Sequence, residues 1–278
     1  MTQAGGGGHA QGTFAAPQPT PIVAEIANAR RTDRWRRRLI FIGVWIVLVG
    51  GLGLFLWNAG RVEWAFIISS GPFILQGAGI TVLVSVLSII LATTLAILGA
   101  LGRLSSNPVV YAIASLYVSL VRGTPLLVQI FFAYYALPQA GIVLDPIPTG
   151  VLALGFNYGA YMTEIFRAGI QAVAGGQREA AQALGMRESH IFRRIVLPQA
   201  IRIVTPAIGN EFIAMIKDSS LVSIITVQEL LWRAQRVGRA EFQTIPAILI
   251  AALAYWVLTI LFSIFQERLE RRMARGDR

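Results

Sequence analysis

The sequence predicts an all-α polytopic membrane protein of about six helices, and three observations carry that prediction. The chain is 55% hydrophobic with a mean hydropathy of +0.62. It contains uncharged apolar stretches too long to be buried helices of a soluble domain. Its arginines gather in every second connection between those stretches, as an orientation signal does.

At about 1.5 Å of helical rise per residue, the stretches able to cover a hydrocarbon core are 39–57, 73–101, 125–144, 149–166, 201–227 and 245–265. The third has an open start. Apolar sequence already begins at Pro108 and passes Arg122 before Pro125, so one long helix and an interfacial helix followed by a span both fit. With the run Arg30–Arg38 in the cytoplasm, six crossings place the connections 102–108 and 167–200, and the tail after Phe265, on that same side. Both termini are then cytoplasmic. Most of the 24 basic residues fall inside, and only Arg61, Arg233, Arg236 and Arg239 fall outside, while Arg122 and Lys217 border or enter spans. The net charge of +10 is therefore an orientation signal, and nucleic-acid binding is not needed to explain it.

The domain organisation follows from composition. Residues 1–38, with a glycine run at 5–8 and Pro17, Pro19 and Pro21, are expected to be a disordered cytoplasmic tail. Residues 39–58 read as a retained N-terminal transmembrane helix, because basic residues precede them and no small-residue cleavage pattern follows. Residues 73–266 form the membrane domain proper, and 267–278 a basic cytoplasmic tail. No cysteine is present, which excludes disulfides, thiolate metal sites and cysteine nucleophiles. With His9 and His190 the only histidines, neither a histidine-built metal site nor a catalytic residue is expected.

One cytoplasmic connection is unusual. Between 171 and 200 the sequence has the pattern of two helices separated by a glycine. Ala180, Ala181 and Leu184 recur at helical spacing, and Gly185 can take the left-handed conformation that ends a helix. Ile191, Ile195 and Val196 resume the period, and Pro198 is expected to stop it. The expected product is a compact helical knob. Its small residues, with Glu179 beside them, suit insertion into a groove on a soluble partner; an amphipathic pair lying on the membrane surface fits equally well.

The run Gly176-Gln177-Arg178-Glu179-Ala180-Ala181-Gln182-Ala183-Leu184-Gly185, followed by Phe192-Arg193-Arg194-Ile195-Val196-Leu197-Pro198-Gln199-Ala200, resembles the cytoplasmic Glu-Ala-Ala loop of ABC importer permeases. Gly79-Ile80-Thr81, Arg122-Gly123-Thr124-Pro125-Leu126-Leu127-Val128-Gln129, Ala160-Tyr161-Met162-Thr163-Glu164-Ile165-Phe166-Arg167 and Lys217-Asp218-Ser219-Ser220-Leu221 resemble the polar amino-acid branch, the histidine/glutamine permease type. The resemblance spans residues 77 to 265. It departs at Arg187, where a Ser or Thr cap is common and Ser189 is the substitute candidate, and at Ser219, where the branch has Thr.

The resemblance implies a type I ABC importer transmembrane domain in a bacterial inner membrane. It assigns Gly176, Glu179, Ala180, Ala181, Leu184, Gly185, Phe192 and Pro198 to coupling with an ATPase. It also implies ABC ATPase subunits, a second permease subunit that is identical or paralogous, an extracytoplasmic amino-acid-binding protein and surrounding lipid as partners. The chain has no Gly-x-x-x-x-Gly-Lys-Ser/Thr phosphate loop, so ATP and Mg belong to the partner ATPase, and this chain is expected to bind no cofactor and to be no enzyme itself.

Charged groups inside a bilayer are candidate functional residues by default. Only Glu164, Glu211 and Asp218 among the carboxylates fall within the expected spans. Glu164 can pair with Arg167 three residues on. Asn210 and Glu211 lie roughly 14 Å into the fifth span, near the midplane, and Asn157 sits at a similar depth in the fourth. Lys217 and Asp218 are adjacent, so they point in different directions; each either meets substrate or pairs with another helix. These residues, with Ser219, form the candidate substrate pathway, which fits acidic, amide or basic amino acids alike. A secondary transporter would be expected to show inverted repeats and more midplane acids, and a membrane enzyme a catalytic cluster; the sequence shows none of these.

Overall fold

A computed structural model describes residues 21–60, 63–173 and 175–274. The chain divides at Arg61 into two units. The first contains one long helix, α1 (Pro21–Gly60). Residues 21–38 were expected to belong to a disordered tail but are helical: past Pro21 no proline or glycine interrupts the sequence until Gly43, and alanines and arginines are good helix formers. Residues 1–20 of the expected tail lie outside the described residues. Within α1, Trp35–Phe55 is long and apolar enough to cross a membrane.

The second unit begins with α2 (Trp64–Leu75) and α3 (Gly77–Arg103), which meet at Gln76 just after Pro72. The open boundary of the third stretch resolves into two helices, α4 (Pro108–Arg122) and α5 (Leu126–Gln139), bent by 106°. Asn107 caps α4 by accepting from the Val109 and Val110 amides, with Pro108 in the first turn. The bend falls where Pro125 lacks an amide hydrogen and restricts Thr124 before it. Gln129 holds the break together, its side-chain amide donating to the Val121 carbonyl at 2.8 Å and to Thr124 Oγ1 at 2.8 Å. The expected span 125–144 is thereby shortened to end at Gln139, ahead of Gly141 at φ +81°.

The helix α6 (Pro146–Gln171) covers the fourth expected span and extends beyond both of its ends. The fifth is not one α-helix. Here α9 (Leu197–Asp218) tightens into a 3₁₀ segment, Ser219–Ile225, and ends at Thr226 in the left-handed region. Ser219 contributes to this tightening, its hydroxyl donating to the Ile216 carbonyl at 2.7 Å. A further helix, α10 (Leu230–Ala240), stands where a plain external loop was expected, and α11 (Thr244–Ala274) completes the unit. The expected basic tail from 267 thus continues α11 as far as Ala274, and residues 275–278 lie outside the described residues.

Among the described residues, three helical stretches, Trp35–Phe55, Trp64–Arg103 and Thr244–Met273, are long and apolar enough to cross a membrane, and the bent pair α4–α5 adds a fourth if it counts as one broken span. The helices α6 and α9, at 26 and 22 residues, are long enough but less apolar, and they sit at the centre of the unit.

The core is built on small residues. Ser85, Ser88, Ala92, Ala96 and Gly99 form one buried face of α3, and Gly155, Gly159 and Thr163 one face of α6, which lets the two backbones approach closely. A second cluster joins Phe66 and Ile74 of α2 to Leu230 and Ala234 of α10 and Ala247 and Ala251 of α11. Large apolar side chains such as Ile113, Leu116, Phe132 and Leu261 clothe the outside, as a lipid solvent favours.

Candidate functional site

The connection between α6 and α9 folds as a knob with its own core. Helix α7 (Gly175–Ala183) ends in a Schellman motif: Gly185, at φ +74°, donates its amide to Gln182, and Met186 donates its amide to Ala181. A short α8 (Glu188–Ile191) follows. Ala181, Ile191 and Val196 are buried together, with Met186, Phe192 and Ile195 packed against them. Glu188 latches the two helices, accepting from Arg178 at 2.8 Å and from Gln182 at 2.5 Å. The Gln182 amide and the Arg178 guanidinium hold the Glu188 carboxyl below the usual carboxylate range, so the latch stays charged at neutral pH and opens only in acid.

Three expectations for the knob are corrected. Ala181 is not on the exposed face as expected but buried in the knob's core, reaching the surface only at the floor of a groove; Ala180 and Leu184 face out, and Leu184 is 83% exposed. Arg187 itself holds the N-cap position of α8 in extended backbone and Ser189 lies inside the helix, so Ser189 is not the cap. Pro198 does not stop the helix. Its missing amide is absorbed by a π-turn over Phe192–Val196, with the Leu197 amide reaching back to the Phe192 carbonyl, and the chain continues into α9 without a break. Gly176, Glu179 and Gly185 are exposed, whereas Phe192 packs inward. A shallow groove of about 450 Å³ runs beside Gln177, Ala180, Leu184 and Arg194.

Inside the bundle, the candidate pathway residues divide. Asn157 of α6 is buried and donates to Gln129 of α5 at 3.2 Å. Tyr158, beside it, donates to Asp218 of α9 at 2.7 Å. Glu211, seven residues before Asp218 and so on the same face of α9, is half-buried and makes no hydrogen bond or ion pair among the described residues. Asp218 and Glu211 thus share one face of α9 beside Tyr158 of α6, and Asn157, next to Tyr158 in the chain, ties α6 to α5. The others do not join them. Glu164 binds Arg167 at 2.8 Å and Arg103 at 3.3 Å, and Arg103 donates to Ser115, so that network ties α3, α4 and α6. Asn210 accepts from Gln266 of α11 at 3.2 Å, Ser219 tightens its own helix end, and Lys217 is exposed.

Two features were not read from the sequence. Tyr158 and Gln129 partner the pathway residues; Tyr158 lies outside every matching run, and Gln129 ends the run from Arg122 without anything in that run pointing to Asn157. Glu229, placed in an external loop, is 0% exposed. It caps α10 by accepting from the Trp232 amide at 2.8 Å and also accepts from the hydroxyls of Thr81 (3.4 Å) and Tyr255. Gly77 lets α3 reach this cap, since a Cβ there would lie 2.7 Å from the Glu229 carbonyl carbon and the Leu230 nitrogen.

Comparison with known proteins gives consistent matches. Residues 92–275 match the family model described as binding-protein-dependent transport system inner membrane component. The L-cystine transport system permease protein TcyB of Bacillus subtilis is 42% identical over 205 residues, covering 73% of this chain and 88% of that protein. The arginine transport system permease protein ArgU of Corynebacterium glutamicum is 34% identical over 277 residues, covering 94% and 85%. A crystal structure of an amino acid ABC transporter with histidines superposes with a TM-score of 0.72 at 37% identity, covering 76% of this chain and 99% of that one.

Proposed function

Because the chain belongs to the binding-protein-dependent transport system inner membrane component family, we propose that it is the pore-forming subunit of an ATP-driven importer of a polar amino acid. The knob between α6 and α9 would then be the element that couples it to a separate ATPase. The amino-acid cargo is supported by the cystine and arginine permeases it resembles and by the transporter it superposes on. In this reading both termini are cytoplasmic, as the arginine distribution favours. Two ATPase subunits, which use ATP and Mg, sit below a pair of permeases that are identical or paralogous, and an external binding protein delivers the amino acid.

The observation that carries the coupling assignment is the pairing of a rigid interior with an exposed apolar tip. The knob has a buried core, a charged latch and a Schellman end, yet it leaves Leu184 almost bare. It is continuous with α9 through the π-turn, and Gln199 at the root of α9 donates to Gln177 of α7 at 2.6 Å. A force on the tip therefore passes into α9, which carries Glu211 and Asp218.

Leu184→Asp is expected to leave the fold intact, because the side chain touches little of its own protein. It should lower coupled ATP hydrolysis in nanodiscs by about tenfold, as loss of an apolar anchor at an interface centre does. Unchanged coupling in Leu184→Asp and Glu179→Lys, with the ATPase still bound, would remove the knob from the mechanism. For the pathway, Asp218→Ala and Glu211→Ala are expected to reduce uptake or shift its preference among amino acids. Normal uptake with unchanged preference in well-expressed variants of Asn157, Glu211, Lys217 and Asp218 would sink that assignment.

A further inference from the structure

Helix α10 is short, anchored at its start and strained on both sides. Glu229 and Thr81 seat its first turn, and Leu230, Ala234 and Gly238 bury one face. Its flanks hold the two non-glycine residues with left-handed backbone among those described, Thr226 at φ +68° and Phe242 at φ +55°. A bulky residue adopts that conformation only where its surroundings enforce it. The turn after α10 supplies the enforcement: Gln243 donates its amide to Gly238, and Gly238 approaches Thr244 so closely that a Cβ would lie 2.9 Å from the Thr244 Cα. The consequence is that Phe242 projects outward and is 94% exposed.

The face of α10 opposite its buried residues carries Trp232, Arg236 and Arg239 at i, i+4 and i+7, one stripe along the helix. Arg236 lies over the Trp232 ring, 5.3 Å from its centroid. Arg233 flanks the stripe, fixed over Phe73 and donating to the Phe73 carbonyl and to Gln76. Neither Arg236 nor Arg239 makes an ion pair among the described residues. The nearby carboxylate of Glu241 instead accepts from Ser70 of α2 at 2.7 Å. Arginine and aromatic side chains on a rigid, pre-positioned element have the composition of interface anchors.

We propose that this ridge, Trp232–Arg236–Arg239 with Phe242 at its end, is the docking surface for the external amino-acid-binding protein. It would meet carboxylates beside an apolar recess that takes the Phe242 ring. The proposal rests on the importer reading above, which puts α10 outside and makes transport depend on such a protein. Charge complementarity favours this occupant: the ridge carries Arg236 and Arg239, flanked by Arg233, against the single carboxylate of Glu241, which Ser70 holds, so it stays net basic.

The test uses the full permease–ATPase complex in nanodiscs of zwitterionic lipid, titrated with the purified amino-acid-binding protein that stimulates wild-type hydrolysis. The concentration for half-maximal stimulation should be about tenfold higher in the double variant Arg236→Glu/Arg239→Glu and should rise less steeply with salt than in wild type, since rim charges act on association. Phe242→Ala should raise it by about fivefold or more, with the salt dependence of wild type retained. Stimulation of wild type and both variants at the same concentration overturns the ridge and leaves the importer reading standing. So does an effect that appears only when anionic lipid is added, which would make the ridge a headgroup contact. Failure of every extracytoplasmic amino-acid-binding protein to stimulate wild type overturns the importer reading and the ridge with it.

Discussion

Replacing Gly159 by leucine is expected to weaken the packing of the membrane unit. A Cβ at this position of α6 would lie 2.7 Å from the Tyr117 hydroxyl, 2.9 Å from the Leu95 Cβ and 3.4 Å from the Ala92 carbonyl. None of these can yield cheaply. The Tyr117 hydroxyl donates to the Phe156 carbonyl at 2.8 Å, and the Ala92 oxygen belongs to the α3 backbone. Where helices associate without a hydrophobic driving force, close approach of small residues is the main attraction, so separating α3 from α6 removes much of what holds them. Overpacking of this kind costs about 3 kcal/mol, or about 10 °C in melting temperature for a unit of this size. Gly159→Ala should lose less than half of that. Gly79→Ala should lose nothing, because open space surrounds the Gly79 Cβ direction. Thermal unfolding and monodispersity in detergent would decide; equal melting of Gly159→Leu and Gly79→Ala would show that the close approach is not what binds the two helices.

The reach of the sequence differs from element to element, and the differences have physical causes. Gly185 was legible because few residues other than glycine take the left-handed end of a helix. The Glu164–Arg167 pair was legible from helical spacing alone. The break at Arg122–Pro125 was visible as an ambiguity, since proline marks a boundary without saying how sharply the chain turns there; the 106° angle depends on Gln129 bracing the break from the far side. Pro198 was misread because a π-turn can absorb a missing amide, and that depends on the three-dimensional course of the helix, not on the proline.

Asn210 and Glu211 are neighbours in sequence at one depth, yet only Glu211 stands free while Asn210 is bound by Gln266 of α11. Depth can be counted from sequence, whereas the direction a side chain faces depends on which helices surround it. The permease family was readable because its motifs are local runs of residues. The partners of the internal residues were not, because Asn157 and Asp218 meet Gln129 and Tyr158 across three helices.

Glu229 is the strongest case of a residue that the sequence misplaces, and its removal should have the second large effect. A carboxylate after an apolar run reads as the start of an external loop, but here every polar contact it makes is part of a closed set. Its oxygens accept from the Trp232 amide, the Thr81 hydroxyl and the Tyr255 hydroxyl, while the Thr81 oxygen accepts from the Leu230 amide at 3.4 Å. Glu229→Ala deletes a helix cap, worth about 1 kcal/mol. It also leaves two hydroxyls without partners in a dry site, at about 1 kcal/mol or more for each. A total near 3 kcal/mol is expected, read as a fall in melting temperature. Glu229→Gln keeps one acceptor oxygen, for either the Trp232 amide or the Tyr255 and Thr81 hydroxyls, and should lose about 1–2 kcal/mol, the cost of placing a new donor beside groups that already donate. Tyr255→Phe removes one contact and Thr81→Val two, since the Thr81 oxygen also takes the Leu230 amide, and both should be milder than Glu229→Ala. Combined with Glu229→Ala, Tyr255→Phe should add almost nothing further and Thr81→Val only the Leu230 contact, because the contacts to the carboxylate are already gone. Full additivity in these double variants would mean that α10 is seated by its apolar face against Phe66, Ile74 and Ala251, with the carboxylate only filling a gap. Non-additivity would make Glu229 the point at which α3, α10 and α11 are joined.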